Sequence, residues 1–198
     1  MPGRLILTHD GAALSAALGV TVEASPRDNI APGEEILALL PDGPARARWG
    51  IVPVGRVNAR GRPVMERIVN ARSETVFDKS AYAGTGRAVI PVSGWYEWTG
   101  KTRTKEVWRI TRADGAPLLF AAISDVWQAP GGASLLQVAP VTCKPNPEVA
   151  EVHDRMAVVL RPEDVAVWLT GDRAAVTPLM APAPAGTFRV EPVADPGR

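Results

Sequence analysis

Apolar residues come in short runs, each broken within a few positions by Gly, Pro, Asp or Asn. The pattern predicts many brief strands and few helices. Residues 4–8, Arg-Leu-Ile-Leu-Thr, read as a strand at the amino end. Asp10 stands at the N-cap of an Ala/Leu-rich helix over residues 12–18, which Gly19 stops. Asn29-Ile30-Ala31-Pro32-Gly33 is a turn-like entry to a strand at Glu35–Leu40, and Pro41-Asp42-Gly43-Pro44 is the next turn. Ala45–Val54 reads as a strand carrying Arg46 and Arg48 on alternate positions, with Trp49 beside them. Residues 55–67 are polar and irregular.

The second half repeats the pattern. Ala88–Val92 is a short apolar strand that turns at Ser93-Gly94 into Trp95-Tyr96-Glu97-Trp98. Val107–Thr111 and Leu118–Ile123 read as a hairpin closed by Ala113-Asp114-Gly115. Leu135–Thr142 is a further strand. Pro145-Asn146-Pro147 opens a helical piece over Glu148–Val152. His153-Asp154-Arg155-Met156 then links to a strand at Ala157–Leu160. Pro162 suits the first turn of a helix over Glu163–Leu169, residues 181–186 are an Ala/Pro-rich linker, and Phe188–Val193 is a last strand. Together these predict an α+β fold: a single compact β-rich domain over residues 1–198, with mostly antiparallel short strands in a barrel-like or sandwich arrangement. The core is expected over about residues 1–170, with a tail over 181–198.

Composition narrows the function classes. The chain has 198 residues, 46% hydrophobic and 22% charged, enough for a real core. The formal net charge is +1, so any polyanion site must come from a local arrangement of Arg. A single cysteine, Cys143, excludes an intrachain disulfide, and with no signal peptide visible a reducing cytoplasmic setting is expected. No apolar run approaches ~20 residues, so no membrane span is expected. Two His and one Cys make no metal-ligand pattern, so neither metal nor cofactor is expected.

A few residues stand out chemically. Met1 before a small residue is normally trimmed, which would free the secondary amine of Pro2. Such an amine attacks aldehydes to give an iminium. Glu97 sits among aromatics, either on a wet strand face or at an apolar rim that would raise its pKa for proton transfer. His153 lies in a polar junction, as a structural imidazole or a catalytic one. Asn70 and Arg72 share a face if their segment is extended, or else lie in a solvent-facing loop. His9 reads as structural and Cys143 as a buried inert thiol.

Gly3-Arg4, Asn29-Ile30-Ala31-Pro32, Trp49-Gly50-Ile51-Val52-Pro53, Asn70-Ala71-Arg72-Ser73-Glu74-Thr75, Ile90-Pro91 with Gly94-Trp95-Tyr96-Glu97-Trp98, and His153-Asp154-Arg155-Met156 occur in this order. In that order they resemble the SRAP family, the SOS-response-associated peptidase domain, over roughly residues 1–170. The resemblance implies shielding of abasic sites in single-stranded DNA by a monomer, cytoplasmic and nucleoid-associated when bound. The residue exposed after Met removal would attack the ring-opened sugar aldehyde and form a DNA–protein crosslink. Pro2, Asn70, Glu97 and His153 would be catalytic. Asn70 would hold the N-terminal residue, Glu97 would shuttle protons, and His153 would assist ring opening. Arg4, Asn29, Arg72 and Arg155 would contact DNA, the arginines through phosphates, while Trp49 and Trp98 would wedge or stack against bases.

The chain departs from the family pattern where it matters. The family's usual cysteine is replaced by Pro2, so the thiazolidine ring that makes the crosslink durable cannot close. The expectation is a transient crosslink with lyase character. The alternatives are a non-covalent single-stranded DNA binder and, as the family name suggests, a peptidase. An aromatic common after the Trp-Gly-x-x-Pro motif is replaced by Gly55, and Ser80–Arg87 keeps only Arg87 where relatives are richer in Arg. Both losses bear on the strength of DNA binding, and the fewer cations point to weaker, less salt-sensitive binding.

Overall fold

The computed structural model describes residues 2–53, 67–100, 105–128 and 131–197. Gly55 and most of the irregular 55–67 stretch lie outside the described residues. From the amino end, β1 (Arg4–Leu7) leads through helix α1 (Gly11–Leu18) to β2 (Arg27–Ile30), β3 (Glu35–Leu40), β4 (Gly43–Trp49) and β5 (Ala71–Arg72). The middle holds β6 (Gly86–Val92), β7 (Gly94–Thr99), β8 (Glu106–Arg112), β9 (Leu118–Gln128) and β10 (Ser134–Cys143). Then come α2 (Pro147–Ala150), β11 (Met156–Ala157), β12 (Val159–Leu160), α3 (Val165–Thr170), α4 (Arg173–Val176) and β13 (Phe188–Val193).

Two sheets result. One runs β13-β8-β7-β1-β2, and the other β11-β10-β4-β3-β6-β9-β12. Because β9 also pairs with β10 along Ser134–Pro140, the run β10-β4-β3-β6-β9 closes on itself as a five-stranded barrel. Closure removes the free edges that open sheets must protect. Among the described residues, pairings are antiparallel except those of β10 with β4 and β5. The two sheets are joined by aromatic packing. The Trp95 ring of β7 meets Phe120 of β9 edge-on at 5.6 Å and Phe188 of β13 at 5.3 Å. All three rings are buried, in the offset geometry that aromatic quadrupoles prefer.

Local signals in the sequence appear as expected at several ends. Asp10 caps α1 by accepting from Ala13 N at 2.8 Å, and Gly19 closes it in the left-handed region at φ 71°. A 3₁₀ turn at Pro162–Asp164 opens α3. Long-range pairing overrides other expectations. Val107–Thr111 and Leu118–Ile123 do not form a hairpin: β8 pairs with β7 and β13, while β9 pairs with β6, β10 and β12. The Ala113-Asp114-Gly115 turn therefore crosses between sheets, because the unbroken apolar run of β9 needs neighbours on both sides. Asn29 and Ile30 belong to β2, not to a turn. β4 ends at Trp49, where Gly50 turns at φ 116°, and Ile51 makes only an isolated bridge to Ile68. The strand expected over Ala157–Leu160 is split, β11 pairing with β10 and β12 with β9. Among the described residues no helix is long and apolar enough to cross a membrane.

Candidate functional site

The β1–β7 ladder positions the site. Its register sets Arg4 opposite Tyr96 and Leu5 opposite Trp95. Continued outward, that antiparallel run carries Gly3 and Pro2 toward Glu97 and Trp98. β7 must start with a glycine, because a Cβ at Gly94 would lie 2.3 Å from the Ile110 carbonyl of β8. Trp95 and Glu97, two apart, point to one face. Both are buried, and Trp95 Nε1 donates to Glu97 Oε1 at 3.2 Å. Burial pushes the Glu97 carboxyl up to about 7, outweighing the pull of the positive amino terminus and the Trp95 hydrogen bond.

Asn70 reaches the same place from the barrel side. It precedes β5, whose parallel pairing with β10 fixes Ala71 beside Val141. Its Nδ2 donates to the Pro2 carbonyl at 3.1 Å, and Pro2 is buried. Its Oδ1 is buried with no hydrogen-bond partner among the described residues. His153 follows α2, which Asn146 caps through Val149 N at 3.1 Å. The His153 N–H then continues to the Val149 carbonyl at 2.8 Å.

Two contacts at His153 Nδ1 disagree. The Arg155 N–H donates to it at 3.0 Å, whereas Asp154 Oδ1 lies 2.8 Å away in ion-pair range. Burial, first, and the amino terminus lower the imidazole pKa despite Asp154. We take the ring as neutral, because the Asp154 side chain is 87% exposed and water screens its charge. Nδ1 is then the acceptor and Nε2 carries the hydrogen. The charge of the amino terminus acts on both Glu97 and His153. A carboxyl poised near neutrality and a neutral imidazole thus share one electrostatic neighbourhood.

Comparison with known proteins gives the family. The profile of the SOS response associated peptidase (SRAP) family matches residues 1–196. The chain belongs to the SRAP family. The abasic site processing protein YoqW of Bacillus subtilis is 32% identical over 155 residues, covering 74% of this chain and 68% of YoqW. The abasic site processing protein YedK of Escherichia coli is 29% identical over 174 residues, covering 84% of this chain and 77% of YedK. A solved phage-related protein from Bordetella bronchiseptica superposes with a TM-score of 0.74 at 30% identity, covering 98% of this chain and 94% of that one.

In this SRAP chain the expected DNA-contact residues separate into groups. Trp49 is fully buried and its Nε1 donates to the Val69 carbonyl at 2.9 Å, so its ring has no face for a base. This corrects the stacking role expected for it, and strand alternation gives the reason: with Arg48 on one face, Trp49 must point to the other. Trp98 is half-buried, its ring 6.2 Å from that of Tyr96. Arg155 is not a loose cation. It grips both Glu74 oxygens at 2.5 and 2.8 Å and the Thr142 carbonyl at 2.5 Å, which holds the Glu74 carboxyl down at about 2. Arg4 donates to Asn29 Oδ1 at 3.0 Å, and Asn29 Nδ2 donates to the Pro196 and Gly197 carbonyls. Arg72 is exposed and makes no ion pair among the described residues.

Glu74 and Asn146 were not singled out as site residues from sequence. Glu74 lies inside the Asn70–Thr75 motif, but nothing local reveals Arg155 as its partner. The Asn146-Pro147 pair is an N-cap signal whose value here is to place His153. Cys143 is buried and free, and burial pushes its thiol up to about 11, consistent with an inert role. His9 is tied to Ser93 Oγ at 2.6 Å and to the Gly115 carbonyl at 2.9 Å, a structural brace between sheet and turn.

Proposed function

We propose that this protein processes abasic sites in single-stranded DNA through the amine of Pro2, exposed when Met1 is removed. The observation that carries the reading is the convergence of the β1 end on Glu97, with Asn70 holding the Pro2 carbonyl at 3.1 Å. The amine attacks the C1′ aldehyde of the ring-opened sugar, and the carbinolamine loses water to give an iminium. Glu97, with a pKa of about 7, takes the amine's proton and returns one to the departing oxygen. His153, neutral with its hydrogen on Nε2, donates to the sugar oxygen during ring opening. Loss of a C2′ proton from the iminium then breaks the C3′–O bond and expels the 3′ phosphate. Hydrolysis frees Pro2.

Proline has no thiol to close on the iminium carbon, so the crosslink is transient and the activity has lyase character. The test is borohydride trapping followed by intact mass, using the Met-free protein and a single-stranded oligonucleotide with one abasic site. A reduced adduct and a cleaved strand are expected. Absence of the adduct, under conditions where a relative with an N-terminal cysteine forms one, leaves only non-covalent binding.

A further inference from the structure

A second group of polar side chains lies away from Glu97, on the neighbouring barrel strands β4 and β10. Their parallel register sets Gln137 beside Arg48, so the two share a face. Gln137 is fully buried. Its Oε1 accepts from Val52 N at 2.8 Å, and its Nε2 has no hydrogen-bond partner among the described residues. Arg48 is half-buried, and both its Nε and its Nη2 are buried without hydrogen-bond partners among the described residues. The Trp127 ring lies against its guanidinium at 5.8 Å. Glu35 and Asp125 stand opposite Arg48 and Gln137 in the ladders, but neither forms an ion pair with Arg48 among the described residues. Asp125 accepts instead from its neighbour's Val126 N–H.

A second cation approaches this group. Arg67 crosses Gly50 and reaches Gly33. A Cβ at Gly50 would touch the Arg67 stem at 3.4 Å, and one at Gly33 would fall on its guanidinium. Its charge acts on Arg48. Two like charges close together, with three buried N–H groups left unmade, are costly unless an anion completes them. A tetrahedral, multiply accepting oxyanion matches guanidinium forks of this kind. Position supports a nucleic-acid source. Arg67 lies three residues before Asn70, and Gly33 lies four after Asn29, which holds Arg4. Arg67 thus sits on the segment that leads into Asn70, and Gly33 on the one that follows Asn29.

We infer that Arg48, Arg67 and Gln137 form a phosphate-binding site for the DNA strand as it leaves the Pro2–Glu97 site. The inference rests on the nucleic-acid reading proposed above, but not on its covalent step. The test is the salt dependence of binding to an undamaged single-stranded oligonucleotide. Arg67 is exposed, so Arg67→Gln leaves the fold intact. Both it and Arg48→Gln should lower the slope of log K against log salt by about 0.7 per phosphate lost, and weaken binding about fivefold near 0.1 M salt.

Unchanged slopes in both variants would overturn the site. So would stabilisation of the wild type by inorganic phosphate that Arg48→Gln abolishes while DNA slopes stay the same, since the ligand is then a small free anion. The two proposals fail separately. Reduced slopes without a borohydride-trapped adduct keep this site and sink the Pro2 chemistry, whereas a trapped adduct with unchanged slopes does the reverse.

Discussion

Glu97 shows what burial does to a single residue. Its carboxyl is 3% exposed, and its pKa rises from 4.5 to about 7. A carboxyl whose folded value exceeds its unfolded value binds its proton more tightly when folded. It therefore imposes no penalty below about pH 4.5, a growing one up to about 7, and a constant one above. At about 1.4 kcal/mol per unit the full penalty approaches about 3 kcal/mol. Glu97→Gln keeps an acceptor for Trp95 Nε1 and removes the charge. Its melting temperature should exceed that of the wild type at pH 8, with the difference vanishing toward pH 4.5. A deficit at pH 8 would mean that the carboxylate is stabilised, not strained. The same group sets the reaction profile: the rate of adduct trapping should rise through about pH 7 in the wild type and lose that rise in Glu97→Gln. Pro2→Cys supplies the missing thiol, so its adduct should survive heating without reductant, as measured by denaturing gel.

At the scale of elements, two caps with the same chemistry should behave differently. Asp10→Ala and Asn146→Ala each remove one side-chain acceptor from a helix start, at about 1 kcal/mol. Asp10 caps a peripheral helix, so adduct formation should be unchanged. Asn146 is 3% exposed and also donates to the Pro184 carbonyl at 3.2 Å, and the helix it caps leads into His153, whose N–H bonds back to Val149. Its loss should slow ring opening as well as lower the melting temperature. Equal kinetics in the two variants would show that α2 does not position His153.

This contrast also shows what the sequence makes legible. Caps, turns and the Gly-Trp-Tyr-Glu-Trp strand are local, so Asp10, Gly19 and the neighbourhood of Glu97 could be read directly. Strand partners are not local. The Asp114-Gly115 turn looks alike whether it closes a hairpin or crosses between sheets, and only the unbroken apolar run of β9 hinted at a doubly flanked strand. Trp49 departs from its expected role for a different reason. Its place opposite Arg48 was available from alternation, yet the motif suggested a surface role. Pairings such as Arg155–Glu74 and Arg48–Gln137 join residues far apart in sequence, and no spacing rule reveals them.

For the whole molecule, the question is how a strand at the very end of the chain supports a site at its very beginning. β13 pairs with β8 from Phe188 to Val193, β8 pairs with β7, and β7 carries Glu97 and pairs with β1. Phe188 packs edge-on against Trp95, whose indole also holds the Glu97 carboxyl. The carboxy-terminal segment is therefore part of the frame that fixes the amino end. Phe188→Ala should cost about 3–5 kcal/mol, the usual penalty for emptying a buried aromatic position. The void would open beside Trp95, and water entering there would solvate Glu97. Its pKa would then fall from about 7 toward the ordinary carboxylate range. The midpoint of the trapping profile should shift to lower pH together with the loss of stability. Lower stability with an unmoved midpoint would mean that β13 supports the sheet without setting the electrostatics of the site.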